Sequence, residues 1–230
     1  ENKNQQGTLF DIGSEDKFIR RDGISDWILK EVRSRFGNTK SLTKEHIFYY
    51  VYGLLHSEQY RSKFAEKKKK SLPRIPIVER AEDIMSFYKA GKELADLHLN
   101  YEEVPACPEV VVNGDNPLGD QYAFYSVQKM RFPAKGQKDT IIYNEHIRIT
   151  NIPAKAYEYV VNGKSAIEWI MERYQVTVDD GKNGSMIKND PNDWSREHSK
   201  PRYILDLLLS VINVSVKTVD IINGLPQINI

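Results

Sequence analysis

Apolar residues recur at helical spacing through the first half of the chain, which predicts a run of helices there. Residues that favour helix starts precede three of these segments, namely Ser25, Thr43 and Ser57. A fourth segment, about Ala81–Leu99, carries a broad apolar face with Gly91 in its middle. Because glycine inside a helix costs about 1 kcal/mol relative to alanine, we expect another backbone to pack closely against it.

From about Pro105 the apolar spacing changes to two, which is typical of strands. Strand-like segments are predicted at Val110–Val112, Tyr122–Phe132 and Thr140–Ile152, separated by clusters of Gly, Asn, Asp and Pro. In the last of them, isoleucine and tyrosine alternate with polar residues. This alternation predicts a strand or hairpin with one buried face and one polar face.

The final third combines helix and hairpin signals. Ser165-x-x-Glu168 is a capping box and predicts a helix start. Gln175–Val178 and Met186–Ile187 flank a glycine-rich turn, which indicates a hairpin. A long last helix is predicted at about Pro201–Asn223, since proline favours the first helical turn.

Together these elements predict an α+β fold. A helical N-terminal half is expected to pack on a mixed α/β half with a small, mainly antiparallel sheet and a long C-terminal helix. We expect a linker at 1–17, a helical coupling subdomain at 18–104 and an α/β subdomain at 105–230. The polar first segment, which begins at Glu1 without a methionine, leads us to expect a piece of a larger polypeptide.

Composition is that of a soluble globular protein, with 40% hydrophobic and 28% charged residues. No apolar run reaches membrane-spanning length, so we expect no membrane partner. The single cysteine, Cys107, excludes a disulfide framework and favours a cytoplasmic location. We expect Cys107 to be a buried small hydrophobe rather than a nucleophile.

Motifs for catalysis and metal binding are missing from the sequence. It contains no GxGxxG, GxxxxGK[ST], HExxH or paired CxxC, and its five histidines lack metal-ligand spacing. The acidic residues of the segment NDPNDWSRE (189–197) are expected to form Asx turns before the last helix rather than a metal site. We therefore predict no catalytic residues, no metal and no self-contained active site.

A strongly basic stretch runs from residue 61 to residue 74, although the whole chain has a net charge of only +1. Its basic residues are Arg61, Lys63, Lys67, Lys68, Lys69, Lys70 and Arg74. Two interpretations stay open at this point. The cations could be a solvated helix end that suits the helix dipole, or they could contact nucleic-acid phosphates.

A second group of polar and basic residues accompanies the predicted strands. Its members are Gln128, Lys129, Arg131, Lys135, Lys138, His146 and Arg148. Arginine, lysine and glutamine are the side chains that read guanine and adenine edges, so these residues are candidates for base reading. The alternative is an ordinary polar sheet face.

Several segments, in this order, carry a family resemblance that extends over nearly the whole chain after about residue 18. They are RRDGISDWIL (20–29), LTKEHIFYYVYGLLHSEQYRSKF (42–64), LPRIP (72–76), AGKELADLHLNYE (90–102), IRITNIPAKAYEYVVNGKSAIEWIMERYQV (147–176), NDPNDWS (189–195) and YILDLLLSVINVSVKTVDIINGLP (203–226). The chain resembles the C-terminal target-recognition region of type ISP single-polypeptide restriction–modification enzymes and of related adenine-specific DNA methyltransferases.

The resemblance implies a module that reads double-stranded DNA and follows a methyltransferase domain in the same polypeptide. S-adenosylmethionine and an NPPY-type catalytic loop belong to that upstream domain, and a nuclease and a helicase-like translocase commonly lie further upstream. The subdomain at 105–230 would be the target-recognition part, with 109–146 varying with the target sequence. The helical half would dock on the methyltransferase through the aromatic face of Phe48–Leu55. The alternative is a structural coupling module that does not read DNA.

Overall fold

The computed structural model describes residues 22–37, 41–64, 74–180 and 186–228. Its α-helices are α1 (Asp26–Arg35), α2 (Lys44–His56), α3 (Glu58–Lys63), α4 (Ala81–Leu99), α5 (Gln121–Tyr125), α6 (Ala166–Arg173), α7 (Asn192–Glu197) and α8 (Tyr203–Asn223). Its strands are β1 (Val111–Asn113), β2 (Ile141–Ile142), β3 (Arg148–Thr150), β4 (Val160–Val161), β5 (Lys164–Ser165), β6 (Thr177–Asp180) and β7 (Met186–Asn189). The α+β fold with small antiparallel sheets and a long C-terminal helix is confirmed.

The predicted helix starts are confirmed by hydrogen bonds of their capping residues. The side chains of Ser25, Thr43 and Ser57 each accept a bond from a backbone N–H of the first turn. Ser165 and Glu168 form the reciprocal capping box of α6. The predicted linker at 1–17 lies outside the described residues.

Helices α2 and α4 approach each other so closely that their backbones touch at two glycines. A Cβ atom on Gly91 would lie 1.8 Å from the carbonyl oxygen of Tyr49 and 2.7 Å from the nitrogen of Gly53. The expected close approach at Gly91 is confirmed. Around this crossing lies the first hydrophobic core, whose fully buried members include Leu54, Tyr60 and Phe87.

Helix α8 is buried along most of its length and contacts both halves of the chain. Two of its buried polar side chains bind backbone carbonyls of the segment that follows α4. Asn213 Nδ2 donates to the Pro105 oxygen at 2.7 Å, and Ser210 donates to the Tyr101 oxygen. Because buried polar groups need partners, these bonds fix how α8 sits against that segment. Within the described residues, no helix has the length and hydrophobicity to cross a membrane.

A histidine joins α2, α4 and α8. The ring nitrogens of His98 lie 2.8 Å from the Tyr52 hydroxyl and 2.9 Å from the Thr218 hydroxyl, and its ring stacks on Tyr159 with 5.4 Å between centroids. Burial, helped by the neighbouring His56, lowers the pKa of His98 to about 4. The ring is therefore neutral at physiological pH and serves as a hydrogen-bonding link between the halves.

The second hydrophobic core lies between the three-stranded sheet, α6 and α8, and it includes Ile149, Ile167 and Leu208. After α8 the chain returns to the first core, where the backbone N–H of Ile228 donates to Gln59 Oε1 at 2.7 Å. The C-terminal tail thus packs on the helical half. The subdomain division at 104–105 stays a prediction.

The predicted strand at Tyr122–Phe132 is wrong. Asp120 accepts hydrogen bonds from the N–H groups of Tyr122 and Ala123 and starts the short helix α5 instead. Beyond it, the side chain of Asn192 takes the place of a partner strand: it accepts from the Val127 N–H at 2.8 Å and donates to the Val127 oxygen at 2.9 Å. Only an isolated bridge at Arg131 remains of the predicted strand.

The hairpin predicted for the second half is confirmed, and the predicted Asx turns are found at one residue. Strands β6 and β7 form the expected antiparallel hairpin. In the NDPNDWSRE segment, Asp190 Oδ1 accepts from the Asn192 N–H at 3.0 Å, which makes an Asx turn as expected. Asp193 and Glu197 do not form the expected turns before the last helix, because they lie in the short helix α7.

Candidate nucleic-acid interface

The sheet that contains the candidate Arg148, and to which Arg131 is bridged, is antiparallel, with strand order β1-β3-β2. Val112 pairs with Ile149, and Ile149 pairs with Ile141. Directly paired residues point to the same side of a sheet, so these three form one row that faces the second core. The predicted burial of the isoleucine and tyrosine positions in this hairpin is confirmed.

The next row of the sheet has two arginines on the solvent side. Asn113 pairs with Arg148, Arg148 with Ile142, and Ile142 is bridged to Arg131. We call these four residues the arginine row. Because neighbouring strands lie about 4.8 Å apart, the backbones of Arg131 and Arg148 are separated by about 10 Å. The structure thus brings together two candidates that are 17 positions apart in sequence.

Both guanidinium groups of the arginine row are exposed. Within the described part of the chain, neither forms an ion pair or a side-chain hydrogen bond. Lys138 differs, since its ammonium donates to Glu168 at 2.8 Å and lies 5.1 Å from the Tyr157 ring centre. Burial opposes ionisation of Glu168, but the bonds from Lys138 and Ser165 hold its pKa below the usual range. Lys138 is therefore already engaged, whereas the two arginines can bind a ligand.

The remaining candidates of this group lie beside the arginine row. Their side chains are exposed, and the backbone at Gln128 is held by a hydrogen bond. Gln128 and Lys129 are exposed, and the Gln128 carbonyl accepts from the Val176 N–H at 2.9 Å. Together with the Asn192 clamp on Val127, this bond sets the path of the chain into Arg131. Lys135 is exposed in the turn between Arg131 and β2.

His146 lies at one end of the sheet, in the turn before β3. Its ring stacks on Phe124 with 5.0 Å between centroids and 5° between planes. Asn144 holds this turn: its Nδ2 donates to the Phe124 oxygen at 2.8 Å, and its Oδ1 accepts from the Ile147 N–H at 2.8 Å. The imidazole is thus presented on a rigid turn and is partly covered by an aromatic ring.

The first basic group lies on the helical half. Arg61 and Lys63 are exposed at the end of α3. The buried Tyr60 donates its hydroxyl to the Arg74 carbonyl at 2.9 Å. The Tyr60 side chain therefore holds Arg74, the last residue of the basic stretch, close to α3. Lys67–Lys70 lie outside the described residues.

Arg61 also borders a cleft of about 650 Å³ between α3, the end of α8 and the loop that carries Tyr159. His56 and Asn223 line the same cleft. Burial lowers the pKa of His56. This cleft is open enough for solvent or a ligand to reach the Arg61 guanidinium.

No group of three or more potential metal ligands occurs in the ranges that the structure describes. Cys107 is buried, as predicted for a small hydrophobe.

Sequence reasoning missed two members of the arginine row, Asn113 and Ile142. The alternation of polar residues in 140–152 identifies the exposed face of one strand, but it does not say which residue of β1 pairs with Arg148. The strand is three residues long, and its register depends on a partner 35 positions away. The only local signal was the Val-Val-Asn pattern before Gly114.

Comparisons with known proteins agree with the observed fold. The family model described as the type ISP C-terminal specificity domain matches residues 1–207. No curated protein sequence matches the chain.

Among solved structures, the chain is similar to the ATP-dependent type ISP restriction–modification enzyme LlaBIII bound to DNA, with 49% identity, a TM-score of 0.72 and coverage of 86% of this chain and 12% of that one. It is similar to a nuclease-deletion mutant of the type ISP enzyme LlaGI in complex with a DNA substrate mimic, with 48% identity, a TM-score of 0.71 and coverage of 84% and 17%. It is also similar to the DrdV–DNA complex, with 28% identity, a TM-score of 0.70 and coverage of 88% and 20%.

The chain spans a fifth or less of the length of each of these proteins. The family match, in contrast, covers most of the chain itself. The chain belongs to the family of type ISP C-terminal specificity domains.

Proposed function

We propose that this chain recognises a specific double-stranded DNA sequence and positions it for an N6-adenine methyltransferase domain upstream in the same polypeptide. The longer enzyme that would contain this chain is called the parent polypeptide below. Support comes from the similar structures, which are described as bound to DNA or to a DNA mimic. Methyl transfer with S-adenosylmethionine is assigned to the upstream domain, since this chain has no NPPY-type loop.

The arginine row is the observation that carries the proposal. Arginine binds the O6 and N7 atoms of guanine through two hydrogen bonds, and asparagine binds adenine in the same way. The row from Asn113 to Arg131 crosses three strand spacings, or about 14 Å. At about 3.4 Å per base pair, this length matches about four steps of duplex DNA. Ile142, between the arginines, offers an apolar surface to a thymine methyl group.

Rigid support makes the row suitable for sequence discrimination. Base reading is favoured where the backbone that carries the donors is fixed, because this limits the positions that their side chains can reach. The buried isoleucines beneath the row and the Asn192 clamp before Arg131 fix its backbone. Lys129, Lys135 and Gln128 lie beside it and would contact the flanking backbone or bases.

The basic group of the helical half would supply phosphate contacts. Arg61, Lys63 and Arg74 are exposed, and the four lysines follow α3 in sequence. Phosphate contacts increase affinity for any sequence and make it strongly dependent on salt. The basic group of the helical half would therefore supply affinity, and the arginine row would supply specificity.

Reversing the charge of Lys67–Lys70 to glutamate is expected to weaken binding of the parent polypeptide to target and scrambled duplexes alike. The change replaces attraction to phosphates with repulsion, so the slope of log affinity against log salt should also fall, by about 0.9 for each phosphate that the protein no longer neutralises. Binding measured over a salt series checks this result. Reversal of Lys89 and Lys92, which are exposed on α4, is a control that changes the charge of two residues in the same half outside the basic stretch. Unchanged binding of the Lys67–Lys70 variant at low salt would contradict the phosphate role.

A second candidate function is coupling to the upstream domain, and exposed apolar residues on the helical half favour it. Trp27 is 71% exposed and Phe48 is 54% exposed. Near them, Ile24, Ile28 and Ile75 line an apolar cleft of about 220 Å³. Much of the Phe48–Leu55 face is buried inside the chain, including Tyr50 and Leu54, so only its exposed part at Phe48 would be available for docking.

The two functions are distinguished by how the parent polypeptide discriminates between sequences. A DNA-reading chain changes that discrimination when exposed residues of its sheet change. A chain that only couples domains leaves it unaltered. The test measures the affinities of arginine-row variants for two duplexes. One contains the sequence that the parent polypeptide methylates, and the other is scrambled.

A further inference from the structure

Leu118 is the most exposed of the large apolar side chains in the described residues, at 83%. It lies between Pro117 and Gly119 in the loop that follows β1, a loop that the functional assignments above do not use. Single exposed leucines are common on protein surfaces, so exposure alone carries no inference. The surroundings of Leu118 are what give it a role.

The loop that presents Leu118 is held at both ends. Gly114 has a φ of +82°, and a Cβ atom there would lie 2.1 Å from the His146 oxygen, so the loop starts in direct contact with the turn before β3. Asp115 then accepts a hydrogen bond from the Tyr125 hydroxyl at 2.8 Å and pairs with Arg202. At the other end, Asp120 caps α5. Leu118 is thus displayed on an anchored protrusion.

Asp115 stays ionised in this arrangement. Burial opposes its charge, but the bonds from Arg202 and Tyr125 hold the pKa of the carboxyl below its usual range. The anchor is therefore intact throughout the neutral pH range in which DNA binding would be measured.

The position of Leu118 connects it to the arginine row. Leu118, Phe124 and His146 line one groove of about 690 Å³. Gly114 also lines this groove, and it directly follows Asn113, the first residue of the arginine row, in the sequence. Asp120 and Glu145 also line it. Asp120 caps α5, and Glu145 Oε1 lies 3.3 Å from His146 Nε2, so both carboxylates already have partners in the chain. Because carboxylates repel phosphates, the groove disfavours the DNA backbone and leaves Leu118 as an exposed apolar contact for bases.

We propose that Leu118 makes an apolar contact with the bases of the bound duplex at the end of the arginine row. This inference rests on the proposed function. The contact is either with a thymine methyl group or with a base step that the side chain partly unstacks, since proteins use apolar side chains for both kinds of contact. In both cases Leu118 adds specificity without adding charge.

The test compares Leu118→Ala with Leu99→Ala in the parent polypeptide. Leu99 is 77% exposed at the end of α4 and serves as the matched control. Affinities are measured for a duplex that contains the sequence that the parent polypeptide methylates and for a scrambled duplex. Leu118→Ala is expected to weaken target binding by about tenfold, the scale of one mismatched base pair, and to leave scrambled binding unchanged. Leu99→Ala is expected to change neither.

Two further duplexes identify the contact. If Leu118 unstacks a base step, the fluorescence of 2-aminopurine placed at that step is expected to rise when the duplex binds the wild type but not when it binds Leu118→Ala. Where it touches a methyl group, deoxyuridine in place of thymine weakens wild-type binding and has no further effect on the variant. Equal target affinity of wild type and Leu118→Ala would overturn the contact while leaving the proposed function standing. A wild-type parent polypeptide that binds both duplexes equally would overturn both.

Discussion

Replacing Arg131 and Arg148 together with lysine is expected to reduce the discrimination between target and scrambled duplexes by at least about 30-fold. Lysine keeps the charge of each residue but lacks the planar fork that binds guanine through two hydrogen bonds. One such contact contributes about 1–3 kcal/mol of discrimination, so two of them give a loss of at least about 2 kcal/mol. Affinity for the scrambled duplex should stay close to that of the wild type, because the phosphate attraction is retained.

Competitive binding of the two duplexes to the parent polypeptide measures this effect. Arg35→Lys is a suitable control, because Arg35 is exposed on α1 and its ion pair among the described residues joins it to Glu31 on the same helix. If the double variant discriminates between the two duplexes as well as the control does, the arginine row does not read bases. Equal weakening on both duplexes would assign the two arginines to phosphate contact instead.

The second large effect concerns the crossing of α2 and α4. Gly91→Ala is expected to destabilise the chain by about 2–4 kcal/mol, although alanine favours a helix by about 1 kcal/mol over glycine. The added methyl group would overlap the Tyr49 oxygen and the Gly53 nitrogen, and neither atom can rotate away because both belong to the backbone. The two helices must separate, which opens the first core. For a chain of this size the midpoint of thermal unfolding should fall by about 4–16 °C.

Gly23→Ala is the matched control for Gly91→Ala. A Cβ atom at Gly23 would meet nothing within 4 Å. Its expected change in the free energy of unfolding is within about 0.5 kcal/mol. A Gly91→Ala variant that melts at or above the wild-type temperature would show that helix propensity, and not the close backbone contact, decides the effect at this position.

Features set by neighbouring residues could be predicted from the sequence. The capping residues Ser25, Thr43 and Ser165 act within three positions of themselves, and the helices begin where they indicate. The alternation in 140–152 likewise reports directly on which residues of that hairpin are buried. The close contact at Gly91 could be expected because glycine in mid-helix is costly unless a neighbour requires it.

Features set by distant residues could not be predicted in this way. The strand expected at Tyr122–Phe132 is replaced by a helix and by a clamp from Asn192, which lies 65 positions from Val127. The source of this segment's hydrogen bonds was not visible in the sequence. The same limit applies to the candidate site, where the pairing of Asn113 with Arg148 depends on tertiary structure.

Charge alone was a poor guide to which basic residues are available. Lys138 and Arg148 belonged to one candidate group, yet Lys138 binds Glu168 while the Arg148 guanidinium is exposed without an ion pair in the described residues. The positive charge that both residues carry could not distinguish them. Their different roles follow from which elements face each side chain.

Methylation-site mapping of a chimera tests the central claim most directly. Residues 109–150 of the parent polypeptide, which contain the whole arginine row and Leu118, are replaced by the aligned residues of a type ISP enzyme with a different target. Because these residues are proposed to read the bases, the chimera is expected to methylate a site that differs from the original toward that of the donor. Methylation of the original site, unchanged at every position, would contradict the claim that this chain reads DNA sequence.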